Sequence, residues 1–157
     1  MVDADVHTNR AALTARKPTE CLLGCDPGLL SPVMVYQQTA KGFKLKAVQE
    51  MLLTSDLYSA KQILLRILGK SARTIQRQGS SKQTVRLNCQ QSAVALQYAW
   101  VLEHAIRVFG TQKLAEGWLG QPCKCLDGEV PLDIVANPVG FQVVDDYLAR
   151  IEYGVYQ

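Results

Sequence analysis

The chain has 157 residues, of which 48% are hydrophobic and 20% are charged, and its net charge is +3. This balance is typical of a globular protein with one core or two small helical modules, and it excludes a disordered chain. The N-terminal residues form no apolar segment that would indicate a secretion signal. The most apolar stretch, residues 93–109, contains Gln97, Glu103, His104 and Arg107, which excludes a membrane span. We therefore expect a cytoplasmic protein that makes no contact with a membrane.

The charge is distributed unevenly along the chain. Residues 31–87 contain ten basic and two acidic residues, a net charge of +8, whereas residues 88–157 contain four basic and eight acidic residues, a net charge of −4. Because DNA phosphates attract a basic surface and repel an acidic one, this asymmetry predicts two surfaces with different partners. The alternative is that the basic residues form an ordinary solvated helix face.

The N-terminal third of the chain has weak helix signals. Residues 1–30 lack hydrophobic periodicity and contain two prolines and two glycines, and Ser31-Pro32 starts a short ordered connection. We therefore predict residues 1–41 to be an N-terminal arm that is partly disordered. Apolar residues spaced by three and four positions then predict helices over about residues 45–52 and 59–68.

Residues 42–87 have the sequence features of a helix-turn-helix DNA-binding domain. An apolar helix ends at Gly69, and a short polar helix over residues 72–78 follows, capped by Ser71 and anchored by Ile75. Arginine and glutamine side chains read base edges, and lysines hold backbone phosphates. The side chains predicted to contact DNA are Lys70, Ser71, Arg73, Thr74, Gln76, Arg77 and Lys82. The alternative is an exposed helical hairpin without a role in DNA binding.

The remaining residues predict further helices, each with its own start signal. Asn88 starts the longest helix, with Gln91 as its partner in a capping box. Thr111 caps a second helix, residues 132–135 form one helical turn, and Asn137, followed by a proline, caps the last helix. Since no strand pattern of any length is present, the predicted fold class is all-α.

Few residues are suited to catalysis or to metal binding. The two histidines, His7 and His104, belong to no metal-binding spacing or nucleophile motif. The cysteines are odd in number, and their spacing does not match a structural zinc site. We interpret them as small, partly apolar residues in a reducing compartment; they are Cys21, Cys25, Cys89, Cys123 and Cys125. The sequence thus predicts no catalytic residue, no metal, no cofactor and no enzyme activity.

Several segments between residues 42 and 157 carry a family resemblance. The most specific is Leu148–Tyr156, which reads Leu-Ala-Arg-Ile-Glu-Tyr-Gly-Val-Tyr, and the others are Leu68–Ile75, Val108–Gly110, Trp118-Leu119 and Leu126–Asp133. Together they resemble the Xre/MbcA/ParS antitoxins, which are partners of RES-type toxins. The resemblance implies a helix-turn-helix domain joined through a long helix to a small helical toxin-binding domain. The N-terminal domain would repress the protein's own operon, and the C-terminal domain would cover the NAD-handling active site of the toxin.

This resemblance assigns residues 88–157 to toxin binding and dimerisation, and it implies three partners: a cognate RES-type toxin, operator DNA and a second copy of the chain. The positions expected near the toxin are Trp118, Arg150, Glu152, Gly154, Val155 and Tyr156, together with their neighbours Tyr153 and Gln157. Gly154 can adopt a positive φ and turn the terminal segment off the helix. Two alternatives stay open. The terminal segment can fold back on the helices as a latch, and the protein can be a stand-alone helix-turn-helix regulator with a C-terminal dimerisation domain.

Overall fold

The computed structural model describes residues 16–69, 73, 77 and 84–154. Within these residues the chain forms α-helices, two single 3-10 turns and no strand, which confirms the all-α prediction. The nine helices described are α1 (Pro18–Leu23), α2 (Pro32–Lys41), α3 (Leu45–Leu53), α4 (Asp56–Ala60), α5 (Ile63–Leu68), α6 (Cys89–Phe109), α7 (Gln112–Leu119), α8 (Pro131–Ile134) and α9 (Pro138–Glu152). None of the helices in this part of the chain is long and apolar enough to cross a bilayer.

The chain divides into two compact units, residues 1–96 and residues 97–157, and the division falls inside the long helix α6. The predicted domain boundary between residues 87 and 88 lies a few residues earlier and stays a prediction. Each unit has its own buried side chains and its own set of caps.

In the first unit, the structure differs from the expected arm over residues 16–41. Helix α1 packs against α3 and buries Cys21 and the two leucines that follow it. The prolines and glycines of this region mark helix boundaries instead of a loose chain. Pro18 and Pro32 each occupy the first helical turn, where a missing N–H costs nothing, and Gly24 ends α1 with a φ of 74°.

The helix predicted over residues 59–68 is wrong as a single element. The structure has α4 and α5 instead, separated by Lys61 and by Gln62, whose φ of 51° lies in the left-handed region. The first of these helices begins early because the Ser55 hydroxyl accepts a hydrogen bond from the Tyr58 N–H at 3.2 Å. Tyr58 and Ile63, on either side of the break, are both fully buried. Burial of these two large side chains stabilises a turn that local helix propensity alone does not favour.

A close backbone approach ties the start of α3 to the segment before α6. The Leu87 N–H donates to the Phe43 carbonyl at 2.9 Å, and the Leu45 N–H donates to the Val85 carbonyl at 2.9 Å. Gly42 makes this approach possible because it has a φ of 95° and because a Cβ on it would overlap the Leu87 carbonyl oxygen.

Helix α6 starts at the predicted capping box. The Gln91 N–H donates to the Asn88 side chain at 2.8 Å, and the Gln91 side chain accepts from the Asn88 N–H at 3.0 Å. In the same unit, the Gln91 side-chain amide also donates to the Leu68 carbonyl at 3.1 Å, which satisfies a carbonyl at the end of α5. The prediction for this helix start is confirmed.

The second unit is built on the C-terminal part of α6, and α7 and α9 also begin at their predicted caps. The Thr111 hydroxyl accepts from the Leu114 N–H at 3.3 Å, and the Asn137 side chain accepts from the Val139 N–H at 2.8 Å. The buried side chains form one apolar core, to which each buried aliphatic or aromatic residue contributes about 1.5–3 kcal/mol. The fully buried larger members are Tyr98, Val101, Leu102, Leu119, Leu132, Val135, Val144 and Leu148.

A disulfide joins Cys123 and Cys125 in the loop between α7 and α8. The expectation that all the cysteines act as small unpaired residues is therefore wrong for this pair. The backbone brings the two together because the Leu126 and Gly128 N–H groups both donate to the Cys123 carbonyl, which holds the loop in a tight turn. Their Cα atoms lie 5.3 Å apart, within the usual range for a disulfide.

Candidate functional site

The residues predicted to contact DNA lie mostly outside the described part of the chain. This applies to Lys70, Ser71, Thr74, Gln76 and Lys82. Only two members of the set are described: Arg73 and Arg77 are both helical and exposed. The DNA interface stays a prediction.

The residues predicted to contact the toxin are described up to Gly154, and Val155, Tyr156 and Gln157 lie outside the described residues. Gly154 has a φ of 68°, and its N–H donates to the Ile151 carbonyl at 3.1 Å. The predicted left-handed turn at the end of α9 is therefore confirmed. The other members of the set, all in the second unit, divide into three different environments.

Glu152 belongs to a side-chain network that joins α6 to α9. The buried ring of His104, 8% exposed, lies with Nδ1 2.7 Å from a carboxylate oxygen of Asp145 and with Nε2 3.0 Å from one of Glu152. The Arg107 Nε donates to the other Glu152 oxygen at 2.8 Å. We call these four residues the His104 network. Hydrogen bonds from Arg107 first, and from His104 second, hold the pKa of Glu152 below its usual value of 4.5.

Trp118 lies in an aromatic stack. Its ring centroid is 5.5 Å from that of Phe109 and 5.7 Å from that of Tyr147, and the Tyr147 ring is nearly parallel to it. Such ring pairs stabilise the packing beyond the area that they bury. Trp118 therefore holds α6, α7 and α9 together, whatever it contacts on a partner.

Arg150 and Tyr153 lie on the outward face of α9 with two valines that sequence analysis did not select. Val139 is 73% exposed, Val143 is 44% exposed and Tyr153 is 78% exposed, and Arg150 is exposed between them. We call these four residues the α9 stripe. Their spacing of about one or two turns places them along one side of α9, which is apolar at one end and also carries the exposed Asp146 between Val143 and Arg150. The signal in the sequence was the pair Val139 and Val143 at i and i+4, on the side of the helix away from the buried Val144 and Leu148.

The described residues contain no cluster of three or more His, Cys, Asp or Glu side chains with a geometry suited to a metal ion. What the second unit presents is a packed helical scaffold, a buried polar network and an exposed stripe with valine, arginine and tyrosine side chains. Tyrosine and arginine are enriched among the residues that dominate binding energy at protein interfaces. This arrangement is suited to binding a protein.

Comparison with protein families places residues 104–154 in a known class of protein-binding domain. They match the family described as the antitoxin Xre/MbcA/ParS C-terminal toxin-binding domain. The chain thus contains a toxin-binding domain of this antitoxin family, and the resemblance found from the sequence is confirmed for this region. The partner of such a domain is a toxin, and the family is one of antitoxins, not of enzymes. A search of curated proteins gave no significant match.

Proposed function

We propose that this protein is a cytoplasmic antitoxin that blocks a RES-type, NAD-consuming toxin and represses its own operon. Residues 88–157 would bind the toxin, and residues 42–87 would bind operator DNA through a helix-turn-helix. The observation that carries the toxin-binding part is the α9 stripe, because it is exposed and lies inside the matched toxin-binding domain.

The side chains of the α9 stripe are suited to a protein interface. Val139 and Val143 offer exposed apolar surface, which gains free energy when a partner covers it. Arg150 and Tyr153 add a charged donor and an aromatic ring at the other end of the stripe. The His104 network supports this surface from behind, because it fixes α9 against α6 without using any of the stripe side chains.

The part of the proposal that concerns DNA rests on charge. Residues 31–87 carry a net charge of +8, and the side chains of Arg73 and Arg77 are exposed. Dimerisation would give the protein the two-fold symmetry that helix-turn-helix repressors share with their operators.

The experiment starts with affinity purification of the tagged full-length chain from its native host, with identification of the bound protein by mass spectrometry. The bound protein is then purified, and its consumption of NAD is measured with increasing amounts of the antitoxin. We expect the wild-type chain to stop NAD loss at a stoichiometric ratio, and a V139D/V143D variant to require at least about tenfold more protein. The matched control is V33D/Y36D, which adds the same charge to exposed positions of α2 and should inhibit like the wild type.

Three results would count against parts of the proposal. A bound protein that does not consume NAD contradicts the RES-type assignment. Full inhibition by V139D/V143D contradicts the role of the α9 stripe. For the DNA part, an R73A/R77A variant should lose operator binding and keep inhibition of the toxin, so loss of both activities in a folded variant contradicts a model with two separate surfaces.

A further inference from the structure

The first unit contains a cavity of about 430 Å³ that neither toxin binding nor the predicted helix-turn-helix contacts use. It opens between α1, the end of α2 and the start of α3. Buried side chains of Leu22, Leu23 and Phe43 line it on one side. Its volume is within the range of small-molecule and cofactor sites.

The polar lining of this cavity is cationic. Lys41, Lys44 and Arg86 all line it, and none of the described residues that line it is acidic. The Arg86 Nη1 donates to the Gly42 carbonyl at 2.8 Å, which fixes the guanidinium while leaving its other N–H donors for a ligand. Three positive charges around one concave site attract an anion, and no carboxylate in the described lining competes for them.

The backbone adds to the same field. Helix α3 has nine residues and begins at the cavity, with Lys44 as its N-cap residue and no side-chain cap. The Leu45 N–H already donates to the Val85 carbonyl, so the helix contributes the partial positive charge of its N-terminus. The helix therefore strengthens an anion site that the three cationic side chains define.

We propose that this cavity binds a phosphate group, held by Lys41, Lys44 and Arg86. Arginine recognises phosphate oxygens with paired N–H donors, and lysine supplies compact positive charge. The apolar side of the cavity is suited to the uncharged part of a phosphate ester. The phosphate can come from the backbone of bound DNA or from a small phosphate compound, and the experiment separates these two sources.

The test is an NMR titration of the full-length protein with inorganic phosphate against chloride at constant ionic strength. We expect saturable shifts of the backbone amides of Lys44, Ala47 and Arg86. A K41Q/K44Q variant should bind phosphate about tenfold more weakly or worse, because two of the three charges are removed. The matched control is K46Q/K61Q, which removes two exposed charges that do not line the cavity and should bind within about twofold of the wild type.

Two results would overturn the proposal: shifts that do not saturate, or the same loss of affinity in both double variants.

The source of the phosphate follows from a second titration, with a mixed-sequence duplex of about 20 base pairs at several salt concentrations. If DNA occupies the cavity, the logarithm of the DNA-binding constant falls less steeply with the logarithm of the salt concentration for K41Q/K44Q than for K46Q/K61Q, by about one to two in slope. The duplex then also displaces inorganic phosphate. If both variants treat DNA alike while phosphate still saturates the wild type, the ligand is a small phosphate compound. Since the first titration contains no DNA, failure of the proposed operator binding does not affect it.

Discussion

In the first unit, three cationic side chains surround a cavity whose described lining contains no acid, whereas in the second unit Arg107 and His104 lie directly against carboxylates. The outward surface of α9 presents two valines and a tyrosine together with the charged side chains of Arg150 and Asp146. A basic surface left unpaired is suited to an anion, and an apolar stripe backed by satisfied charges is suited to a protein. The contrast supports the proposal that the two units bind chemically different partners.

The largest expected effect comes from Gly42, which allows the close backbone approach between the start of α3 and the segment before α6. A Gly42→Ala variant places a Cβ onto the Leu87 carbonyl oxygen at a φ of 95°, so both a steric clash and backbone strain oppose it. We expect the free energy of unfolding to fall by about 3 kcal/mol or more. Denaturant unfolding followed by circular dichroism measures it.

Gly140 is the matched position in the second unit. A Cβ there would overlap the Ile134 carbonyl oxygen, but the residue lies inside α9 and has no positive φ. Gly140→Ala should therefore cost less than Gly42→Ala, about 2 kcal/mol. If the two variants lose equal stability, the positive φ at Gly42 does not contribute, and the special status of that turn is contradicted.

The next effect concerns the His104 network, on which the paired charges of the second unit depend. Replacing His104 by alanine leaves the carboxylates of Asp145 and Glu152 without their shared partner and opens space in a buried position. We expect a loss of about 1–3 kcal/mol in the free energy of unfolding. The control Arg150→Ala, at an exposed position of the same helix, should change it by less than about 0.5 kcal/mol.

The helix starts that could be predicted from the sequence are those fixed by nearby residues. Asn88 with Gln91, Thr111 and Asn137 each cap a helix through atoms two or three residues away, so the pattern is visible in a short stretch of chain. The break at Gln62 was missed because the burial of residues on both sides of it stabilises it, and a local pattern does not contain that information. The helices of the expected arm were missed for a related reason. A proline such as Pro18 is compatible both with a loop and with the first turn of a helix, so the sequence alone does not distinguish the two.

The candidate site was predictable only in part. The turn at Gly154 follows from glycine at a helix end, and the structure confirms it. The His104 network joins residues 41 and 48 positions apart, a separation at which no local spacing rule applies. The resemblance implied that Glu152 lies near the toxin, and it did not indicate that its carboxylate is bound to Arg107 and His104. The exposure of Val139 and Val143 depends on which face of α9 is buried, and the structure shows that this face contains Val144 and Leu148.

A smaller effect is the pH dependence that Glu152 gives to the second unit. Because its folded-state pKa is lowered, its stabilising contribution is present above the unfolded value of 4.5 and is lost as the pH falls through the folded-state pKa. A Glu152→Gln variant should therefore be less stable than the wild type near pH 6, and the difference should disappear well below pH 4.5. Thermal unfolding of both proteins across this range measures the difference. A difference that does not change with pH would mean that the carboxylate charge contributes nothing to the network.

The smallest predicted effect has the opposite sign and lies at Gly117, inside α7. A Cβ at this position meets no atom within 4 Å, and the residue is exposed on a helix. Gly117→Ala should therefore raise the free energy of unfolding by about 0.5–1 kcal/mol, since alanine has the higher helix propensity and restricts the unfolded chain. Denaturant unfolding beside Gly140→Ala provides the internal comparison, because the same substitution is made in two helices of one unit. If Gly117→Ala destabilises the protein while toxin binding is unchanged, the neighbourhood of α7 is more crowded than its exposed surface indicates. If stability rises but toxin binding falls, the glycine keeps that surface open for the partner, which would extend the protein-binding face from the α9 stripe to α7.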